Sequence, residues 1–182
     1  MDKKNILAET ALDLFYQSGV ANIGVNEVSS KSQISKRTLY KYFATKDLLI
    51  LETLTIRHDR FCRWLNDILI YSETNEQLIE NLFDGLDRWF CNMEPQLGEF
   101  RGCYFINTSA EFVDKTHPIS LMCKKHKEKV RSIIDKHMPD KDETLLDMLC
   151  LLKEGAITSA YVNHDTNSAK KALMVLASWK RP

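Results

Sequence analysis

Apolar residues recur three and four apart along almost all of this 182-residue chain, and no stretch sustains the alternation of a β-strand. Only six glycines and four prolines interrupt the pattern. The implied architecture is all-α, with about nine helices. The first spans about 3–18, with Leu7, Ala11, Leu14 and Phe15 on one face and Gly19 as a left-handed stop. A second begins near Val25, with Val25 and Val28 inward. A third runs from Ser35 to Phe43 and turns Leu39 and Phe43 into a small core. Thr45 is placed to cap a long fourth helix reaching about Tyr71, with Asp47 in its first turn. Further helices are expected over about 75–92, 103–115, 118–137, 142–163 and 167–179, with Pro118 and Pro139 at two junctions. The fourth helix is long enough to leave one domain and enter another. The expected domains are therefore 1–47 and 48–182.

Within this frame, residues 28–48 read as a short helix, a tight turn at Ser32-Gln33-Ile34, and a second short helix opened by Ser35. From Lys31 to Lys46 there are five cations (Lys31, Lys36, Arg37, Lys41, Lys46) and no Asp or Glu. With Leu39 and Phe43 inward, Lys36, Arg37, Thr38, Tyr40 and Lys41 face outward. Lys and Arg neutralise phosphates, and hydroxyls bond phosphate oxygens or base edges. Two short helices joined by such a turn form the helix-turn-helix layout, which lays its second helix in the major groove. Net charge is zero over the chain, but residues 1–50 hold seven Lys/Arg against five Asp/Glu. A local basic stretch on a neutral chain fits a focused contact rather than a general nucleic-acid coat.

Other classes find less support. No apolar run approaches the ~20 residues of a membrane helix, and the N-terminus leads into an amphipathic pattern rather than a secretory leader. Five widely spaced cysteines without a CxxC fit reduced thiols in a cytoplasm. Cys123 and His126 lack a second close pair, so no metal or cofactor is expected. His58, His117, His126, His137 and His164 are scattered. There is no phosphate-cradling glycine loop and no nucleophile elbow, so no catalytic residue is assigned. The alternatives to a DNA-binding regulator are a helical interaction protein or a small helical enzyme without DNA affinity.

The first fifty residues resemble the TetR family of bacterial transcriptional regulators. The resemblance rests on Ala11, Leu14, Phe15 and Gly19, on Val25 and Val28, and on Ile34-Ser35-Lys36, Thr38-Leu39-Tyr40, Phe43, Lys46 and Leu48. It implies a homodimer on a palindromic double-stranded DNA operator, usually a repressor released by a small molecule. Ser35, Lys36, Arg37, Thr38, Tyr40, Lys41 and Tyr42 then occupy the recognition-helix positions, and Lys46 matches a phosphate contact. Arg37 and Thr38 are the expected base contacts, since Arg bonds guanine twice and Thr touches a thymine methyl. Gln33 stands where the family turn usually has Gly. If the turn keeps a positive φ, Gln33 carries a steric cost of ~1 kcal/mol. Ser29 and Ser32 stand where Ala is common.

In the larger part, Leu145, Leu149, Leu152, Ala156 and Ser159 mark one face of the eighth helix. Ala169, Ala172, Leu173, Leu176 and Trp179 mark another on the ninth. A four-helix dimer interface is expected from Leu145, Leu149, Leu152, Ala156, Ser159, Leu173 and Leu176. The segment Gly102-Cys103-Tyr104-Phe105-Ile106-Asn107 resembles a Gly-Cys-x-x-x-Asn segment of one branch of the family. Cys103, Ile106, Asn107 and Ala110, with Trp89, Phe90, Met122 and Tyr161, are expected to line an effector pocket. Cys103 is also a candidate thiol sensor.

Overall fold

The computed structural model describes residues 2–178. Among them are nine α-helices and one 3-10 turn, and no strand. In chain order these are α1 (Lys3–Ser18), α2 (Val25–Ser32), α3 (Lys36–Tyr42), α4 (Lys46–Leu69) and α5 (Asn75–Phe90), then the 3-10 turn Pro95–Leu97, then α6 (Tyr104–Ala110), α7 (Pro118–His137), α8 (Glu143–Val162) and α9 (Ser168–Ser178). The all-α expectation is met, and most ends fall within two residues of their expected places. Trp179 lies outside the described residues.

Local caps set the helix starts. Thr45 Oγ1 accepts from the Leu48 amide at 3.2 Å. Thr74 accepts from Gln77 at 3.2 Å, and Asp142 from Leu145 at 3.0 Å. Pro118 opens α7, where its missing N–H is no loss. One expected helix is much shorter. α6 ends at Ala110 rather than near residue 115 because the following chain finds other partners. Asp114 accepts from the Thr116 amide at 2.8 Å and the Thr116 hydroxyl at 2.7 Å. Such Asx turns compete with helix, and Pro118 biases the residue before it away from helix as well.

The chain divides into two compact units: Met1–Asp59 with Tyr104–His126, and Arg60–Cys103 with Lys127–Pro182. The division passes through α4 and α7. In the first unit, α1, α2 and α3 pack on one another. Their core includes Leu7, Ala8, Ala11, Leu12, Phe15, Val28, Leu39 and Phe43. Leu12, one turn beyond Ala8, completes the buried stripe of α1, while Leu14 is half-buried. Each fully buried Leu or Phe contributes about 1.5–3 kcal/mol. In the second unit, α5, α8 and α9 pack together. An aromatic cluster of Phe61, Trp64, Trp89, Phe90 and Phe100, with neighbouring centroids 4.8–6.1 Å apart, fills its middle.

Candidate nucleic-acid interface

α3 is held by what it buries. Leu39 is fully buried and Phe43 nearly so, and this fixes the rotation of the helix. Ser35 caps it: its hydroxyl accepts from the Thr38 amide at 3.3 Å and lies 3.0 Å from the Thr38 hydroxyl. The opposite face is open. Ser35, Lys36, Arg37, Tyr40, Lys41 and Tyr42 are exposed, and Thr38 is half-buried. Three cations and two phenols thus stand on seven helical residues that contain no acid.

The turn before α3 keeps the left-handed conformation. Gln33 sits at φ 57° and ψ 27°, and its amide bonds back to Ser29 and Ser30 at the end of α2. Ser29 and Ser32 brace it. The Ser29 hydroxyl donates to the Ile34 carbonyl at 2.5 Å, and Ser32 donates to the Ser29 carbonyl at 3.2 Å. Alanines could supply neither bond.

The turn between α1 and α2 is gripped from two sides. Gly19, at φ 84°, lets the chain leave α1. The Glu111 carboxylate then accepts from the Val20 and Ala21 amides at 3.0 and 2.6 Å. A Cβ at Gly19 would come within 3.2 Å of Glu111 Oε1. The Lys46 ammonium donates to the Val20 carbonyl and lies 5.8 Å from the centroid of Phe15. The expected phosphate contact therefore already shares its charge with this turn.

The segment 104–126 supplies further supports inside the first unit that the sequence pattern did not reveal. The Tyr104 hydroxyl meets Thr53 at 2.8 Å, and burial pushes its pKa far above that of an ordinary tyrosine. The Tyr104 ring meets Tyr16 edge-on at 5.8 Å, and Arg57 lies 4.7 Å above the Tyr16 ring. Two of the five histidines come together: His58 and His126 face each other with Nδ1 atoms 3.1 Å apart, and His126 stacks on Phe105 at 3.5 Å.

The expected pocket residues differ in their surroundings. Trp89 and Phe90 are buried in the aromatic cluster. Cys103 is buried, and Lys127 Nζ donates to its sulfur at 3.3 Å. Lys127 also pairs with Glu154 at 2.7 Å. Tyr161 is exposed but lays its ring on Gly102, where a Cβ would come within 2.8 Å of it. That close approach, with φ 78°, explains the glycine before Cys103. Ile106 and Ala110 are exposed, and Asn107 and Met122 are half-buried. The buried face of α6 is instead Tyr104, Phe105 and Thr108.

The expected interface residues need a correction. Leu145, Leu149 and Ala156 are buried within their own chain, Leu149 completely, so they cannot offer surface to a second copy. Leu152, Ser159, Leu173 and Leu176 are half-buried. α8 is apolar on more than one side, and the single chain uses the Leu145–Leu149–Ala156 side for its own core. The side left open carries Leu151, Gly155, Thr158 and Val162, spaced as one helical face. Leu151 is 74% exposed, and no atom outside α8 lies within 4 Å of a Cβ built at Gly155. Met174 and Val175 are exposed on α9.

Comparison with known proteins places this geometry. Residues 7–53 match the family model described as bacterial regulatory proteins, tetR family. The chain is 39% identical over 66 residues to the uncharacterized HTH-type transcriptional regulator YuxN of Bacillus subtilis, a stretch covering 36% of this chain and 23% of that protein. Solved structures are similar over nearly the whole length. The TetR-family regulator SCO4454 of Streptomyces coelicolor superposes with a TM-score of 0.75 at 23% identity, over 97% of this chain and 87% of that one. A cysteine mutant of the TetR family regulator CifR, solved with 26-bp double-strand operator DNA, superposes at 0.80 with 17% identity, over 99% and 98%. The N-terminal segment thus resembles the tetR family of bacterial regulatory proteins, and the described chain has the fold of the solved regulators it is similar to.

Proposed function

We propose that the chain is a DNA-binding transcriptional regulator, acting as a homodimeric repressor on a palindromic operator. One observation carries this reading: α3 turns an acid-free face of Lys36, Arg37, Tyr40 and Lys41 to solvent while Leu39 and Phe43 anchor it. Arg37 and Thr38 read bases; Ser35, Lys36, Tyr40, Lys41, Tyr42 and Lys46 position the backbone. The DNA-reading domain is residues 1–47, and residues 48–182 bind effector and form the dimer. The likeness to CifR, which was solved on operator DNA, supports the duplex as partner.

Two half-sites lie ~34 Å apart, about one turn of DNA. The partner copy meets α8 and α9 through Leu151, Gly155, Val162, Met174 and Val175, since these are the apolar and small positions that one chain leaves open. A small-molecule or thiol-reactive effector releases the operator. α4 is the lever, because it is one helix of 24 residues that contributes to both units. Cys103, with Lys127 on its sulfur, is where a thiol reagent would act.

A gel shift on the duplex upstream of the chain's own gene tests the reading at two salt concentrations. Tyr40→Ala and Lys41→Ala should each weaken binding on every sequence, and Lys41→Ala should lower the salt slope by about 1. Wild-type protein that shifts no duplex at low salt rejects the proposal.

A further inference from the structure

Spacing along the chain pairs His126 with Cys123, three residues away, and says nothing of His58. The fold brings together a different set. The ligand atoms of His58, Cys62 and His126 lie within 4.8 Å of one another. His58 and Cys62 are four apart on α4, which runs unbroken through them, so both stand on one face. That is also the spacing at which paired ligands on a helix hold zinc. His126 comes from α7, and within the first unit its Nδ1 sits 3.1 Å from the Nδ1 of His58.

The histidine pair is held in place before any ion arrives. His126 is 2% exposed, and Phe105 stacks on its ring with centroids 3.5 Å apart and planes 7° from parallel. The His58 ring stands edge-on to it at 72°. Two Nδ1 atoms this close need a proton or an ion between them, since two lone pairs would repel. Imidazole nitrogens bound at about 2.0–2.1 Å in a tetrahedral array stand roughly 3.3 Å apart, close to the separation already present. A thiolate on the same ion stands roughly 3.6 Å from each nitrogen, within reach of a rotation of the Cys62 side chain. His58 and Cys62 are half-buried, which leaves a path from solvent.

The geometry points to a zinc site: Zn²⁺ held by His58 Nδ1, His126 Nδ1 and the Cys62 thiolate, with a fourth position open to water. The donor set picks the metal. Imidazole with thiolate suits zinc, and three ligands without a carboxylate or carbonyl oxygen disfavour magnesium, calcium and manganese. On binding, the proton between the two rings moves to the outer Nε2 of the ring that carries it, and the Cys62 thiol gives its proton to solvent. Both nitrogens and the sulfur then offer lone pairs to the ion. As a regulatory site it rests on the regulator reading above, where α4 is the lever; as a metal site it does not.

Competition for Zn²⁺ against a chromophoric chelator tests it on the full-length protein, kept reduced. One equivalent should bind with a Kd of about 1 µM or tighter, and excess Mg²⁺ should not displace it. Co²⁺ serves as the visible probe: it should show the strong absorption of a tetrahedral ion and a thiolate-to-metal band in the near ultraviolet. Cys62→Ser and His58→Gln should each weaken Zn²⁺ about a hundredfold or more, beyond the cost of disturbing groups that only orient a ligand. Cys62→Ser should also lose the thiolate band. Both variants should melt near wild type once stripped of metal. Cys91→Ser, at an exposed thiol, should bind as wild type does. No saturation at one equivalent, a Co²⁺ complex without the thiolate band, or undiminished affinity in both variants overturns the site, and so does loss of binding in Cys91→Ser. The measurement needs no DNA, so a protein that binds Zn²⁺ but no duplex rejects the regulator and keeps the metal site. One that shifts its duplex but ignores Zn²⁺ rejects the metal site alone.

Discussion

Glu111 and Val20 are ninety-one residues apart, and the Glu111 carboxylate accepts the Val20 amide at 3.0 Å. With the Ala21 amide at 2.6 Å on its other oxygen, it satisfies two donors at the turn that leads into the helix-turn-helix. The carboxylate is exposed, so each bond is worth the low end of the range for charged acceptors, roughly 1.5 kcal/mol. Glu111→Ala should therefore lower the melting temperature by about 2–4 °C per kcal/mol lost. It should also weaken operator binding although α3 is untouched, because the turn positions α2. Glu111→Gln, which keeps one acceptor, should fall between. Melting curves and gel shifts on the three proteins check this; an unchanged Glu111→Ala protein would show the clamp to be idle.

Gln33 is the second test. A non-glycine residue at φ 57° costs about 1–2 kcal/mol relative to a right-handed conformation, and Gln lacks the short side chain that eases it. Its side chain is exposed and no bond from it holds the turn. Gln33→Gly should stabilise the protein by about 1 kcal/mol, less the extra entropy that glycine adds to the unfolded chain. Operator affinity should not fall. A lower denaturation midpoint would mean that the Ser29 and Ser32 bonds already remove the strain.

These two positions show what the sequence could and could not tell. Gln33 was legible because a turn between two short helices needs a left-handed residue, and that demand is local. The starts at Ser35 and Thr45 were legible for the same reason: a cap lies within three residues of what it caps. The rotation of α3 followed from Leu39 and Phe43, four apart. Glu111 was not legible, since nothing near it in sequence says that residues 104–126 belong with the first unit. The end of α6 was misjudged because the turn at Asp114 competes with apolar spacing that continues past it.

α8 illustrates the limit most directly, and it carries the third prediction. Its apolar residues cover more than one side, so spacing cannot choose which side a single chain keeps. The structure buries Leu149 fully and leaves Leu151 74% exposed. Leu151→Glu should fold with a near-normal melting temperature at high protein concentration, yet elute as a monomer and bind operator weakly. Leu149→Glu should fail to fold, since an unpaired carboxylate would sit in the core. Sedimentation of both variants separates the two faces. A dimeric Leu151→Glu protein moves the interface off α8.

The fourth prediction concerns acid stability. Lys153 is 2% exposed, and its ammonium pairs with Glu154, which also takes Lys127 at 2.7 Å. Burial alone would raise the Glu154 pKa, but the Lys153 and Lys127 charges outweigh it and hold the carboxyl below its ordinary 4.5. A depressed carboxyl contributes stability that is fully present above the unfolded pKa and disappears as pH falls through the folded one. The wild-type melting temperature should therefore hold down to about pH 5 and fall below pH 4.5, where Glu154 begins to take up protons more readily unfolded than folded. Glu154→Gln removes the charge at every pH and strands Lys153. Breaking a buried pair from one side costs about 3–5 kcal/mol, and the partial exposure of Glu154 puts this case toward the lower figure. The variant should be less stable at neutral pH, and the gap to wild type should narrow as the pH drops. Parallel melts from pH 3 to pH 7 read this out; a gap that stays constant over that range would mean that Lys153 has another counter-charge.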